Sequence, residues 1–356
     1  MTRDRAGLPS RVLVLGATGY VGSRLVPALL ASGHDVRAAS SAPSAPDRFA
    51  WGADVEWARC DVTSGEDVAG ALEDVDVVVY LVHSLSTAGF AGRDLLGAQV
   101  VRDAVERSGV RRLVYLSGLV PDVPRDDLSP HLASRLEVEE ELLRVSCSAV
   151  ALRAGLVVGA GSTSWEVVRQ LGSLLVVQPV PTWLHSSVQP VAASDAVRAL
   201  VEASGSAELE GAVDVGGPDV LPYPRLLGLA ARAERLVRVR VPAPVAPQPV
   251  VALVTASLVQ APFRTVVALV ASLRHDLVCR PDHTWAPADG QPLLPVADAV
   301  RRALGGPGES PEAPLPSDPA WTRQHVPVLD AAHVPRTVRT GASLALHRLR
   351  GLAGRA

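Results

Sequence analysis

The sequence predicts an α/β protein: a doubly wound parallel sheet with a small C-terminal substrate or lid region built from insertions and C-terminal helices. Three observations predict it. Residues 11–22 read Arg-Val-Leu-Val-Leu-Gly-Ala-Thr-Gly-Tyr-Val-Gly. The apolar run 12–15 ends on Gly16, with Gly19 and Gly22 following at spacings of three. The helical pattern Leu25, Val26, Leu29, Leu30 begins directly afterwards, which makes a strand, a glycine turn and a helix. Further continuously apolar runs then alternate with helical patterns, as in a parallel sheet covered on both faces. From Gly159 onward the alternation loosens and prolines break it up.

The elements follow in order. Strands are expected at 12–15, 34–39, 75–82, 112–116 and 150–152, with helices at 20–32, 64–72, 88–108 and 131–145 between them. Strands at 187–191 and 212–215, joined by a helix at 194–203, complete the sheet. A helix at 163–175 and an extended proline loop (Pro179, Pro181, Pro190) form an insertion at 160–187. Beyond it the pattern predicts a helix at 221–233, a strand at 236–241, a proline-rich connector at 242–249 and a helix at 295–304. The division is a leader at 1–10, a nucleotide-binding domain at 11–220, a smaller lid region at 221–304, and a linker and tail at 305–356. The stretch 305–319, rich in Pro, Gly and acid, reads as linker. The stretch 337–355 reads as a frayed tail or a short basic amphipathic helix.

Composition removes several classes of function. The chain has 356 residues, a formal net charge of −3 and no basic surplus, so nucleic acid is not an expected partner. Cys60, Cys147 and Cys279 are odd in number and widely spaced, which suits neither a disulfide framework nor a zinc site. The nine histidines are scattered without ligand spacing, and no metal is expected. The first ten residues leave no room for a signal peptide, so the expected location is cytoplasmic. The apolar stretch 249–273 is interrupted by Pro262 and Arg264; it reads as two packed helices, with a membrane-surface contact left open. The chain contains no lysine, so all 34 basic residues of the Lys/Arg class are arginine. No mechanism here can use an ammonium group.

The glycine motif carries the chemistry. Gly16 permits a tight turn, Gly19 lets the backbone approach a pyrophosphate, and Gly22 lets helix pack on strand. The free N–H groups at the helix start, around Val21, then face an anion. The plain alternative is a structural turn.

Several further segments sit in the order of a known family: Cys60-Asp61-Val62, Tyr80-Leu81-Val82-His83-Ser84, Tyr115-Leu116-Ser117-Gly118, Leu152-Arg153-Ala154-Gly155, Gln189-Pro190-Val191 and Asp214-Val215-Gly216-Gly217-Pro218. With the glycine motif, they resemble an atypical short-chain dehydrogenase/reductase of the YbjT-like or NmrA-like branch, a Rossmann NAD(P)-binding fold. The resemblance implies that Gly16, Thr18, Gly19, Tyr20, Val21 and Gly22 wrap the pyrophosphate. It implies that Asp61 and Val62 contact adenine, and that Leu81, Val82 and His83 lie along the riboses. For Asp61 the alternative is a loop acid capping the helix at Ser64. The end of the second strand, Val36-Arg37-Ala38-Ala39-Ser40-Ser41, has no acid to hold a ribose 2′-OH. Ser40, Ser41 and Arg24 therefore point to NADP, with NAD as the alternative; Arg37 fits either.

The resemblance also exposes a departure. Active members use a tyrosine and, four residues later, a lysine on one helix; here His131 and Arg135 stand at the matching positions, with the upstream serine kept as Ser117. His131 is the candidate acid. Arg135 is the candidate clamp for ribose or an anionic group, since it cannot trade its own proton. The alternative makes both solvated residues at a helix start. His83, Trp165, Trp183 and His185 fall where the substrate pocket of such proteins opens. Two functions follow: an NAD(P)H-dependent oxidoreductase acting on a small carbonyl or enone, or a non-catalytic NADP(H)-binding redox sensor or assembly and regulatory protein. The substrate and any protein partner are not legible in the sequence.

Overall fold

Side chains alternate across a strand, so each of the apolar runs feeds two cores at once. In β1 (Arg11–Leu15), Val12 and Val14 face one helical layer, and Leu13 and Leu15 face the other. The computed structural model describes residues 10–323 apart from 43–45, 86, 88, 306, 307 and 309. All but the last residue of the expected leader at 1–10, and the tail at 337–355, lie outside the described residues. Six more strands join β1: β2 (Asp35–Ser40), β3 (Glu56–Arg59), β4 (Val77–Tyr80), β5 (Arg112–Gly118), β6 (Ser148–Ala154) and β7 (Gly211–Val215). All are parallel, in the order β7-β6-β5-β4-β1-β2-β3. The order reverses beside β1, so the crevice for a ligand opens beyond the C-terminal ends of β1 and β4.

Helices α1 (Gly22–Ala31) and α6 (Ala193–Gly205) cover one face, burying Leu25, Val26, Leu29, Val197 and Leu200. Helices α2 (Gly65–Ala71), α3 (Phe90–Glu106) and α4 (Pro130–Leu142) cover the other through Val68, Val101, Val105, Val138 and Leu142. Each such fully buried leucine or valine contributes about 1.5–3 kcal/mol. A third core lies beneath α5 (Thr163–Leu174), α7 (Tyr223–Ala233), α8 (Gln248–Leu258), α9 (Phe263–Ser272) and α10 (Val296–Ala303). The apolar stretch 249–273 is thus two helices, with Pro262 at the start of the second. Among the described residues no helix is long and apolar enough to cross a membrane.

The structure departs from the sequence expectation in four places, one of them a strand, Val177–Val180, inside the expected proline loop and paired with Val239–Pro242. Strand β3 was not predicted, because its four residues, Glu-Trp-Ala-Arg, mix charge with apolar groups at a sheet edge. The strand expected at 187–191 is two fragments, Ser187–Val188 and Val191–Ala192, in separate small ladders; Pro190 has no N–H to continue one strand. The segment 310–318, expected as linker, packs into the molecule. Glu312 and Asp318 are buried there, held by Ser194 N at 2.6 Å and by the Arg24 guanidinium at 2.8 Å. Composition suggested a linker, but these two acids are capping and pairing groups.

Candidate active site at the C-terminal sheet edge

The glycine turn is built by its own backbone. Gly16 has φ +88°, a conformation that favours glycine. Its N–H and that of Ala17 donate to Ala39 O at 3.3 and 3.2 Å, and Gly19 N donates to Gly16 O at 3.0 Å. A Cβ on Gly22 would sit 2.3 Å from Gly16 O and 2.7 Å from Ala17 Cα, so the helix reaches the strand only with glycine there. A Cβ on Gly19 would meet only Gly16 O, at 3.2 Å. That side of the turn is open, and Gly19 lines the main cavity.

This cradle fits an anionic dinucleotide. Helix α1 has no side-chain cap and no acid in its first turn. Among the described residues the N–H groups of Tyr20 and Val21 have no acceptor in the chain. Such N–H groups at a helix start bind phosphate. Around them stand Thr18 Oγ1, 3.4 Å from the buried Ser40 Oγ, and the exposed Ser41. The end of β4 closes the opposite side, since a Cβ on Gly16 would lie 3.3 Å from the Leu81 carbonyl carbon and 3.4 Å from Val82 Cγ2. Val62 packs over Gly97 of α3.

One expectation for this half is corrected, at Arg24, and the side chains of Tyr20 and Asp61 are placed. Arg24 does not reach a phosphate: it is 3% exposed and fully engaged. Its Nη1 and Nη2 donate to the Asp318 carboxylate at 2.8 and 3.0 Å, its Nε to Pro311 O at 2.7 Å, and Nη2 also to Ala160 O and Ala313 O. Tyr20 offers its backbone to the turn but turns its phenol inward, under the Arg24 guanidinium and against Gly159. Burial pushes that phenol's pKa up. Asp61 does not cap α2, because Ser64 does so by accepting from Asp67 N. The Asp61 carboxylate accepts from Thr63 N and Oγ1 at 3.0 and 2.7 Å, which holds it below the usual carboxylate range, and Arg93 lies 3.5 Å away.

From the turn a cavity of about 280 Å³ runs to the end of β5. It is here that Ser117, His131 and Arg135 come together with His83, all lining one space. Helix α4 places two of them. Pro130 occupies its first turn, Ser129 Oγ accepts from Leu132 N, and the Glu139 carboxylate is bound by Arg153 of β6 at 2.6 Å. Arg135 Nη1 donates to Leu116 O at 2.9 Å and to the Tyr115 hydroxyl at 3.4 Å, so its charge sits beside Ser117. Ser117 is buried, with the Tyr115 hydroxyl as a polar neighbour.

The electrostatics alter the role expected of His131. Burial, the Arg135 charge and His83 push its pKa down to about 3. His83 is exposed at the cleft mouth, and its crowded surroundings and the Arg135 charge push its pKa down as well. Both imidazoles are neutral at pH 7, so His131 is a hydrogen-bonding group there and not a stored proton.

Leu273 and Leu277 also line the space, and more of the wall comes from residues that sequence reasoning passed over: Tyr223 of α7, and Thr265, Leu269, Val270 and Ser272 of α9. A bond of 2.8 Å between Ser129 Oγ and Ser272 Oγ ties α9 to the start of α4. No motif marks these positions; only the packing of α9 against α4 brings them to the site. Of the softer candidates only His83 lines the cavity. Trp165 is core, Trp183 donates to Ala246 O at 2.9 Å, and His185 is exposed away from it.

Fold and glycine turn define a Rossmann-type α/β protein with a dinucleotide-binding cradle. Residues 16–148 match the family model described as NAD(P)H-binding. It is 32% identical over 116 residues to a 3-beta-hydroxysteroid dehydrogenase of Mycolicibacterium neoaurum, covering 30% of this chain and 31% of that protein. It is 27% identical over 223 residues to an uncharacterized protein of Mycobacterium tuberculosis, covering 62% of this chain and 23% of that one. The chain thus spans a third or less of the curated relatives it matches. Its fold is similar to that of the UDP-glucose 4-epimerase of Thermus thermophilus, solved with NAD (TM-score 0.60, 21% identity, 82% of this chain and 97% of that one). It is also similar to the epimerase Mth375 of Methanothermobacter thermautotrophicus (TM-score 0.61, 18% identity, 84% and 92%).

Proposed function

We propose that the protein is an NADP(H)-dependent oxidoreductase that acts on an apolar substrate through a single carbonyl or enone group. One observation carries this reading: a continuous cavity joins the glycine turn to Ser117, His131 and Arg135, and among the described residues its lining contains no carboxylate. Leu132 of α4, Leu269 and Val270 of α9, and Leu156 and Val157 after β6 give the wall its apolar character, beside a few hydroxyls such as Ser164 and Thr265. Such a wall suits a hydrocarbon body with one oxygen better than a polyhydroxylated one. The steroid dehydrogenase relative is named for a substrate of that character.

The nicotinamide would supply or accept hydride. The chain's own groups would manage the oxygen. Neutral His131 and Ser117 can each donate a hydrogen bond to an oxyanion, and the fixed Arg135 charge favours negative charge nearby. The cofactor preference rests on the end of β2, where Ser40 and Ser41 replace the acid that would select NAD.

A second reading, a cofactor-binding sensor without turnover, is favoured by the missing lysine and by an Arg135 guanidinium already bonded to Leu116 O. Titrating the protein with NADPH and NADH, then following reduced-cofactor absorbance with a panel of apolar ketones and enones, separates the two. Binding with turnover is the expected result. Binding with no turnover on any substrate of the panel would favour the sensor.

A further inference from the structure

We infer that Arg59, on the edge strand β3, is the residue that holds the 2′-phosphate of NADP(H) and sets cofactor preference. The inference rests on the NADP(H) reading above and names the group that enforces it.

The argument begins with where the positive charges near the end of β2 have gone. Arg24 is consumed by Asp318 and four backbone carbonyls. Arg37 is buried on the far face of the sheet, donating to Ala71 O and Glu73 O at 2.8 and 2.7 Å and paired with Glu56 at 2.9 Å. Arg48 donates to Ser317 O at 2.7 Å. Arg59 is exposed and, among the described residues, has no ion pair or side-chain hydrogen bond. The neighbouring acids are already engaged: Glu56 with Arg11 and Arg37, Asp61 with Thr63 and Arg93.

Register then fixes which face Arg59 occupies. In the parallel β2–β3 pair, Ala38 lies opposite Trp57 and Ser40 opposite Arg59. Ala38 and Trp57 belong to the core under α1, whereas Arg37 opposite Glu56 and Ala39 opposite Ala58 face the α2 side. Arg59 therefore stands on the face of α1 and the glycine turn, one strand spacing (about 4.8 Å) from Ser40. Ser40 in turn reaches Thr18 in the turn at 3.4 Å. The corner thus holds the hydroxyls of Ser40 and Thr18 and one uncommitted guanidinium, with the exposed Ser41 next along the chain. A phosphomonoester asks for that set, since its oxygens take a planar guanidinium fork together with hydroxyl donors.

The test is binding of NADPH and NADH to the full chain, for the wild type, Arg59→Ala and Arg59→Lys. The wild type should prefer NADPH. Arg59→Ala should weaken NADPH by about 10- to 100-fold, the scale of one charge-assisted contact, and leave NADH unchanged. Arg59→Lys should fall between, because a point charge replaces a fork. Unchanged NADH binding also shows that the variant is folded. An equal loss for both cofactors, or no loss for either, would overturn the role of Arg59. A wild type that prefers NADH would overturn the NADP(H) assignment and leave the dinucleotide site standing. A wild type that binds neither would remove the site reading itself.

Discussion

The two ends of the cofactor cleft are made in different ways. The glycine-turn end is built mainly from twelve consecutive residues, with local contacts such as Gly19 N to Gly16 O and support from the next strand at Ala39 O. The substrate end takes Ser117 from β5, His131 and Arg135 from α4, His83 from the loop after β4, and a wall from α9, far along the chain. A local site keeps its geometry through backbone conformation. A dispersed site keeps it only while its elements stay docked, through bonds such as Ser129–Ser272 and Arg153–Glu139. The same contrast holds for two arginines the sequence presents alike. Arg24 follows the glycine turn and is structural; Arg135 lies far from it in sequence and faces the cavity.

The largest expected effect breaks that contrast at Arg24. Asp318→Ala leaves a buried guanidinium without its acid and should destabilise the fold by about 3–5 kcal/mol in urea unfolding. Replacing both partners with apolar residues should recover most of the loss. NADPH affinity in the folded variants should be unchanged, which is the mark of a structural arginine; a selective loss of NADPH binding would return Arg24 to the phosphate site.

Next is His131→Ala. Removing one hydrogen-bond donor to an oxyanion should lower turnover by about 10²–10³-fold while the NADPH dissociation constant stays put. Equal losses in binding and turnover would make His131 a packing residue.

Acid stability sharpens the same corner. His131 has a pKa near 3 in the folded protein, and that of the exposed His83 is pushed down too, against about 6.5 for an unperturbed histidine. Above pH about 6.5 both states are neutral at these positions and no stability depends on them. Between there and pH about 4 the unfolded chain binds more protons, so stability falls as pH falls. His131→Gln should flatten that slope in chemical unfolding followed across the window. A slope identical to wild type would mean the imidazole is not held neutral.

The smallest effect is at the rim. Ser41→Asp should lower NADPH affinity relative to NADH by a factor of about five, the scale of one exposed charge pair.

How much was legible follows from the same division. The turn, β1 and α1 could be read because glycine spacing and apolar period are both local signals. His131 and Arg135 could be placed only through a family resemblance, and their neutral and clamped states needed the surrounding walls. Strand β3 was missed because an edge strand has no continuous apolar run, and Arg59 was missed with it. Asp318 looked like linker acid because nothing in sequence joins it to Arg24, 294 residues away. The cavity wall from α9 left no signal, since Leu269 and Val270 read as any buried helix face does.

The central claim is that the open side of the glycine turn receives the dinucleotide. Gly19→Val tests it most directly, because a Cβ there meets only Gly16 O at 3.2 Å within the chain. The branched side chain would instead fill the approach to the free N–H groups of Tyr20 and Val21. Titrated with NADPH alongside the wild type, the variant should keep its unfolding midpoint and lose saturable binding. A Gly19→Val protein that binds NADPH as the wild type does would contradict the account.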